Sequence, residues 1–536
     1  MVTPETWDYV IVGAGSAGCV LANRLSASGR MRVLLLEAGL RDSNLWIHIP
    51  LGYGKLFTDP RYNWMFESEP EPELNNRRII QPRGKGLGGS SSINGLVHVR
   101  GQREDFDHWA SLGNRGWTYA EVLPYFKKSE DFQHGADAFH GVGGPLAVGS
   151  LPEPHELCDA FIGAAEQAGH PRNDDFNAER QEGAGYFHVN ARNGRRCSTA
   201  VGYLRPAEKR ANLRVITEAR ATRVLFDGKR AVGVEFVAGG QQQQARAARE
   251  VILCAGAIQT PQLLQLSGVG PAELLARHQI ALVHASPGVG ANLQDHLQAR
   301  LVYQCTRPIT INDDLMSWWR QLKVGLRYVL LRKGPLTVSA GYAGGFFRTR
   351  PELKTPDVES HFITFSTGRM GTGLHRFSGF TASICQLRPE SRGSVTIKSG
   401  DPMAAPAIQP NYLSTEGDRA TMVAGVKLLR NIMAQPAMVP YVAAEYEPGP
   451  QAACDSALLE YIRNKGFTVY HPSCTCKMGS DGGAVADERL RVRGLAALRV
   501  IDASVMPTVV SGNTNAAVVM IAEKGADMAL EDAARS

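Results

Sequence analysis

Asp8-Tyr9-Val10-Ile11-Val12-Gly13-Ala14-Gly15-Ser16-Ala17-Gly18 is a short apolar run closed by three spaced glycines, and Cys19-Val20-Leu21-Ala22-Asn23-Arg24-Leu25 continues it in a helical pattern. The order is strand, glycine turn, helix. Gly13 permits the tight turn, Gly15 lets backbone approach a pyrophosphate, and Gly18 lets the helix lie close on the strand. The helix N-terminus then offers amide donors and the positive end of a dipole to phosphate groups. A second apolar run, Arg32-Val33-Leu34-Leu35-Leu36, ends at Glu37. A carboxylate at that distance accepts hydrogen bonds from ribose hydroxyls and disfavours a phosphorylated ribose. A glycine turn by itself is often only a turn. With strand, helix and acid together, the stretch predicts a Rossmann-like α/β unit that binds an adenine dinucleotide, and it fits NAD and FAD equally.

The rest of the composition agrees with a large folded enzyme. The chain has 536 residues, 43% hydrophobic and 21% charged, which is ordinary for a protein with a sizeable core and argues against disorder. The length predicts several units, interleaved rather than strung out, because the motifs below bring distant segments to one site. The net charge of +6 is spread along the chain, so no nucleic-acid surface is expected. Nine cysteines form no regular framework; the odd number leaves at least one unpaired and fits a reducing compartment. The first residues lack a basic segment followed by a long apolar one, and no apolar run reaches the ~18 residues of a spanning helix. A cytoplasmic protein, soluble or bound to a membrane surface, is expected. Gln241 to Gln244 read as a polar loop.

Two further stretches narrow the choice of dinucleotide. Gly84-Lys85-Gly86-Leu87-Gly88-Gly89-Ser90-Ser91-Ser92-Ile93-Asn94 is a turn able to set amides and hydroxyls against a flat anionic ligand. Gly256-Ala257-Ile258-Gln259-Thr260-Pro261-Gln262-Leu263-Leu264-Gln265-Leu266-Ser267-Gly268-Val269-Gly270 reads as a proline-started helix with a glycine stop, preceded by a strand from Glu250 to Leu253. Together with the N-terminal turn, these stretches resemble the two signatures of the glucose-methanol-choline (GMC) oxidoreductases. Val289-Gly290-Ala291-Asn292-Leu293-Gln294-Asp295-His296, Ser391-Arg392-Gly393-Ser394-Val395, Pro410-Asn411-Tyr412-Leu413 and the stretch from Asp502 to Ala526 extend the resemblance over nearly the whole chain. It looks closest to the bacterial alcohol and choline dehydrogenase-like branch.

The resemblance implies FAD, and it implies FAD held without a covalent bond. Family members that tether the flavin use a histidine where this chain has Ile93. It further implies cofactor contacts at Gly13, Gly15, Ser16, Ala17, Gly18, Glu37, Ala38, Trp64, Gly88, Ser90, Asn94, Gly95, Val97, Ala221, Tyr470, Asp502, Ala503 and Thr514. Ala221 replaces a more usual valine, at a contact made through backbone.

Oxidising an alcohol removes a hydroxyl proton and a hydride, so a base must stand beside the flavin; histidine suits this because its ordinary pKa of about 6.5 lies near working pH. Tyr470-His471-Pro472-Ser473-Cys474-Thr475-Cys476 holds the best candidate among the 14 histidines. Taken alone, His-Pro is more often a structural turn. The resemblance makes His471 the general base, and it makes Asn513, in Ser511-Gly512-Asn513-Thr514-Asn515, the residue that hydrogen-bonds the substrate oxygen. The competing role for Asn513 is to cap the helical run from Ala516 to Asp527, although Thr514 or Asn515 could do the capping instead. Three departures suggest a differently shaped pocket: Cys474 where glycine is common, Ala517 where proline follows, and His98 where an aromatic is usual. Cys474 and Cys476, without a second ligand pair, make a poor metal site and read as packing residues; no metal is expected.

Between about Leu301 and Met438 the nucleotide motifs give way to β-branched and alternating stretches, such as Val358 to Phe365 and Gly393 to Ile397, which predict strands of a separate sheet. The resulting fold class is a Rossmann-like FAD-binding domain interleaved with an α+β substrate domain on an antiparallel sheet. Its expected parts are 7–300, 301–455 and a C-terminal return over 456–530. Asn312 to Pro335 reads as one helix with an N-cap, early acids, late bases and a Gly-Pro stop. Its tryptophans and basic residues suit a membrane surface where a quinone is met. The same apolar positions suit a lid packed over the active-site entrance, and core packing favours the lid. The expected partners are a small-molecule alcohol and either oxygen or a quinone-type acceptor. The alternatives to alcohol oxidation are a lyase or flavin photodecarboxylase on the same fold and a non-catalytic flavin binder, and an intact His471 and Asn513 favour the oxidoreductase.

Overall fold

The apolar run and glycine turn at the N-terminus form a strand and helix in the computed structural model, which describes residues 5–368 and 373–535. In chain order, the strands of the two large sheets begin with β1 (Thr6–Val12), β2 (Val33–Leu36), β3 (Gly183–Tyr186), β4 (Leu213–Ile216), β5 (Ala219–Asp227), β6 (Arg230–Ala238) and β7 (Gln241–Leu253). They continue with β8 (Leu297–Cys305), β9 (Ala343–Phe347), β10 (Val358–Ile363), β11 (Gly379–Gln386), β12 (Val442–Glu447), β13 (Phe467–Thr468) and β14 (Leu498–Val500). The helices that matter to the site are α1 (Ser16–Ser26), α2 (Gly256–Leu266), α3 (Ile311–Met316), α4 (Trp318–Leu331) and α5 (Thr514–Arg535).

The first sheet has the order β4-β2-β1-β7-β6-β5, with β14 beside the end of β7. Its β4, β2, β1, β7 and β14 run parallel, while β6 and β5 form an antiparallel extension. β2 is buried throughout and β1 nearly so, as expected for parallel strands covered on both faces. On this sheet α1 lies beside α5, tied by Arg24 to the fully buried Glu523 at 2.6 Å. The second sheet, β12-β8-β11-β10-β9-β3 with β13 on β8, is antiparallel throughout. Each sheet has its own large apolar core.

Three local expectations are corrected. Gln241 to Gln244 are not a loop: they open β7 and pair with β6 across a turn at Gly239 and Gly240, both at positive φ. Their side chains stay exposed, so the polar residues cost no burial. Pro261 does not start its helix but sits inside α2. Its missing N–H would leave the Ala257 carbonyl unpaired; the Thr475 hydroxyl donates to that oxygen at 2.6 Å and docks the His-Pro segment on α2.

The stretch from Asn312 to Pro335 is two helices, α3 and α4, broken at Ser317 in an extended conformation. Thr310, with Asp313 in a capping box, caps the first; Asn312 turns inward and donates to the Ser366 and His375 carbonyls. The second helix, α4, lies mostly at the surface. Only Val324 and Tyr328 of it are buried, and it contributes nothing to the central cavity among the described residues.

Candidate active site

A cavity of about 290 Å³ runs between the carboxyl ends of β1 and β7 and one face of the second sheet, from Glu37 and Ala38 at one end to His471 and Asn513 at the other. Ser16 and Thr514, the first residues of α1 and α5, both line it. Two helix N-termini therefore point their positive ends into one space, an arrangement that favours a pyrophosphate and negative charge on a reduced flavin. The Ser16 hydroxyl donates to Asn515 Oδ1 at 2.7 Å and joins the two helix starts.

The glycines let the walls close around this space. A Cβ on Gly89 would come within 2.6 Å of Gly15 Cα, so the serine-rich loop can press on the first turn only without side chains there. Gly13, Gly15, Ala17, Trp64, Ser90, Asn94, Gly95, Val97, Ala221, Tyr470, Asp502 and Ala503 all line the cavity as well. Gly18 and Gly88 do not. They shape its wall from behind: a Cβ on Gly18 would meet the Gly13 carbonyl at 1.9 Å, and one on Gly88 the Ser92 hydroxyl at 2.2 Å.

The Glu37 carboxylate accepts from the amides of Ala14, Gly39 and Gly86, two on Oε1 and one on Oε2, which leaves Oε2 the freer acceptor. Asp502 is committed to Gly256 N, the Thr260 hydroxyl and Ser504, and holds the start of α2 against the cavity. Ile93 lines the wall and offers no nucleophile. The donors, helix ends and flat glycine walls fit an adenine dinucleotide bound without a covalent link.

At the far end, the hydrogen-bond chain fixes a tautomer. His296 Nε2 lies 3.0 Å from the Leu387 carbonyl, which can only accept, so that nitrogen carries the proton. His296 Nδ1 is then an acceptor, and His471 Nδ1, 3.0 Å away, must be its donor. The Nε2 of His471 is left as a bare lone pair, facing Asn513 Nδ2 at 3.3 Å. Burial first, and the neighbouring His296, His361 and Arg83 next, hold His471 well below the ordinary imidazole value; burial lowers His296 to about 4. Both rings are therefore neutral near pH 7, as the chain of bonds requires. Asp295 anchors the backbone, accepting from His471 N at 2.8 Å and His296 N at 2.9 Å. Tyr470, immediately before the base, has φ +71, an uncommon conformation of the kind found at sites that hold a side chain in place. The Asn513 side-chain oxygen is buried with no partner among the described residues, so it does not cap α5.

The departures turn out to be mostly remote from the pocket. His98 is buried behind it, 3.5 Å from Glu130 and 3.1 Å from Asn190. Cys474 has φ +75, a backbone shape that favours glycine, which accounts for the residue usual there. Cys474 and Cys476 are fully buried and burial raises both thiols, Cys474 to about 12, so they remain protonated packing groups. Ala517 is buried within α5. The sequence did not single out His296, nor the substrate-side wall. There Gln298 and Arg300 of β8 alternate onto the face shared by Ser383 of β11 and His361 of β10, and all four line the cavity.

Comparison with known proteins agrees with this geometry. Family models described as GMC oxidoreductase match residues 7–298 and 389–522. The oxygen-dependent choline dehydrogenase of Pseudomonas putida (strain GB-1) is 46% identical over 530 residues, covering 98% of this chain and 94% of that one. That of Yersinia pseudotuberculosis serotype IB (strain PB1/+) is 46% identical over 528 residues, covering 97% and 93%. Among solved structures, pyridoxine 4-oxidase from Mesorbium loti superposes with a TM-score of 0.88 at 30% identity, over 97% of this chain and 98% of the other. A formate oxidase variant of Aspergillus oryzae RIB40, studied for modification of its FAD, gives 0.93 at 26% identity over 100% of both chains.

Proposed function

Because the chain belongs to the GMC oxidoreductase family, and to its FAD-dependent alcohol dehydrogenase or oxidase type, we propose that His471 and Asn513 carry the oxidation of an alcohol to an aldehyde or ketone. The observation behind this reading is the bare Nε2 of His471, held in that state through His296 and facing Asn513 across 3.3 Å. A substrate hydroxyl entering between them donates its proton to His471 Nε2 while Asn513 Nδ2 donates to the oxygen. The alkoxide so formed is stabilised by that amide and positioned for loss of hydride from carbon. FAD, when bound, supplies the hydride acceptor. With Ile93 in place of a tethering nucleophile, it is held by the two helix N-termini, the glycine walls and Glu37.

Electrons leave to oxygen or to a quinone-type acceptor, and the relatives, oxygen-dependent choline dehydrogenases, support oxygen. The test is product analysis. Purified yellow enzyme should release its flavin on acid denaturation and convert an alcohol to a carbonyl compound under air. Turnover under argon that appears only with added quinone would move the acceptor from oxygen to quinone. No carbonyl product under either condition would contradict the reading.

We extend the reading to the surface on which the enzyme works. No helix among the described residues is long and apolar enough to cross a membrane. Yet α4 exposes Trp318, Trp319, Leu322, Leu326, Val329 and Leu330 on one side, with Leu330 at 74% exposure; Lys323 within it and Lys333 just after it are exposed, while Arg327 pairs with Glu153. Such a face suits the interface of an anionic bilayer. Flotation with phosphatidylglycerol-containing vesicles is expected to carry the protein up, and Trp318→Ser/Trp319→Ser/Leu330→Ser to leave it below. Equal flotation of the two would refute the docking face.

A further inference from the structure

The substrate end of the cavity contains a cation that has no counter-ion among the described residues. Arg300 stands on β8, its side chain on the sheet face that lines the cavity, opposite Ser383 and in the same cross-strand row as His361. Its guanidinium carbon sits 4.3 Å over the Phe467 ring, and none of its side-chain donors meets an acceptor among the described residues; Nε is buried with no partner. The Tyr53 hydroxyl, in a residue only 2% exposed, also lies at the cavity wall with no partner among the described residues. Arg300 is the charge that most lowers Tyr53 against the rise caused by burial. Two unused donor groups, one of them charged, therefore line the same cavity.

The negative groups that might satisfy them are elsewhere. The only carboxylates lining the cavity among the described residues are Glu37 and Asp502. Both lie at the nucleotide end and are already engaged by backbone amides. Glu359, 3.3 Å from His361, is buried behind the wall and raised by that burial to about 8, so it carries little charge near neutrality. Gln298, the other β8 side chain on this face, is neutral and donates to the Thr468 carbonyl. A buried guanidinium without partners is costly, and a planar carboxylate matches its fork.

We propose that the alcohol taken by this site carries a carboxylate, which pairs with Arg300 and accepts from the Tyr53 hydroxyl while its carbinol group reaches His471 and Asn513. The proposal rests on the alcohol-oxidising reading above and gives it a substrate class. One guanidinium suits a single negative charge, and a cationic alcohol such as choline would bring like charge against Arg300 with no facing carboxylate to offset it.

The test compares benzyl alcohol with para-(hydroxymethyl)benzoate on the holoenzyme and on Arg300→Gln and Arg300→Lys, by anaerobic flavin reduction and by calorimetric titration with benzoate. The wild type should favour the carboxylate by roughly 30-fold in kcat/KM, the scale of one charge-assisted hydrogen-bonded pair. Arg300→Gln should erase that ratio and weaken benzoate binding by a similar factor, with Arg300→Lys between. Equal reduction by the two alcohols in the wild type, or benzoate binding unchanged in Arg300→Gln, would overturn the proposal while leaving alcohol oxidation in place. Arg300-dependent benzoate binding without reduction by any alcohol would support the anion site and defeat the reading of the reaction instead. Thermal melting and flavin content of each variant are measured alongside; loss of FAD from both variants would assign Arg300 to the cofactor and overturn the proposal.

Discussion

His471→Ala is expected to slow anaerobic flavin reduction by an alcohol about 100- to 10,000-fold, the range for removal of a positioned general base. The loss should fall on the rate of reduction at saturating alcohol, since the proton is transferred only as the alkoxide forms. His296→Ala should cause a smaller loss, because it takes away the acceptor for His471 Nδ1 and lets the ring turn or adopt the other tautomer without removing the base. Stopped-flow absorbance of the flavin measures both. The pH dependence follows from the direction of the shift. A base held well below the ordinary imidazole value is already deprotonated at pH 7, so the wild-type rate should be flat above about pH 6.5 and fall only as acid protonates His471 below that. A rate still rising between neutrality and pH 9 would mean that another group accepts the proton.

Gly18→Ala should be the most damaging single methyl group in the nucleotide-binding half. The added Cβ would lie 1.9 Å from the Gly13 carbonyl oxygen and 3.0 Å from its carbon, both backbone atoms, so α1 must move away from β1 or the turn must open. Overpacking of this kind costs about 3 kcal/mol or more where backbone has to shift, and here the displaced atoms form the wall against which FAD lies. We expect a lower melting temperature and protein purified nearly free of flavin. Gly163→Ala is the matched control. On a helix (Glu156–Gln167), its Cβ would meet only the Ala437 methyl at 3.7 Å, and the change should stabilise the helix by about 0.5 to 1 kcal/mol. Comparable losses of stability and flavin in the two variants would remove close packing at Gly18 as the explanation.

Local signals carried most of the nucleotide site. The glycine turn and the serine-rich loop act through backbone shape, which glycine spacing records directly, and Glu37 follows the second strand at a fixed distance. The runs around His471 and Asn513 pointed to the proposed roles only through the family resemblance, since His-Pro by itself reads as a turn and Asn513 as a helix cap. Long-range pairing hid the rest. Nothing near His296 in the chain announces that its ring will meet His471 and fix the tautomer, for that depends on His471 and the Leu387 carbonyl, both distant in sequence, meeting its two nitrogens. Arg300 reads as an ordinary charged residue in a strand until the register places it opposite Ser383 and over the cavity. Gln241 to Gln244 misled for the opposite reason: composition suggested a loop, while a two-glycine turn and a neighbouring strand imposed pairing. The stretch from Asn312 likewise divided into two helices at the extended Ser317, with Thr310 rather than Asn312 as the first cap and Asn312 bonded inward to the Ser366 and His375 carbonyls.

The measurement that bears most directly on the account is anaerobic mixing of the wild-type holoenzyme with a panel of alcohols while the oxidised flavin absorbance is followed. The account predicts rapid bleaching by at least one alcohol, with stoichiometric aldehyde or ketone and recovery of the yellow form on adding oxygen or a quinone. Bound FAD that no alcohol of any charge bleaches would contradict it.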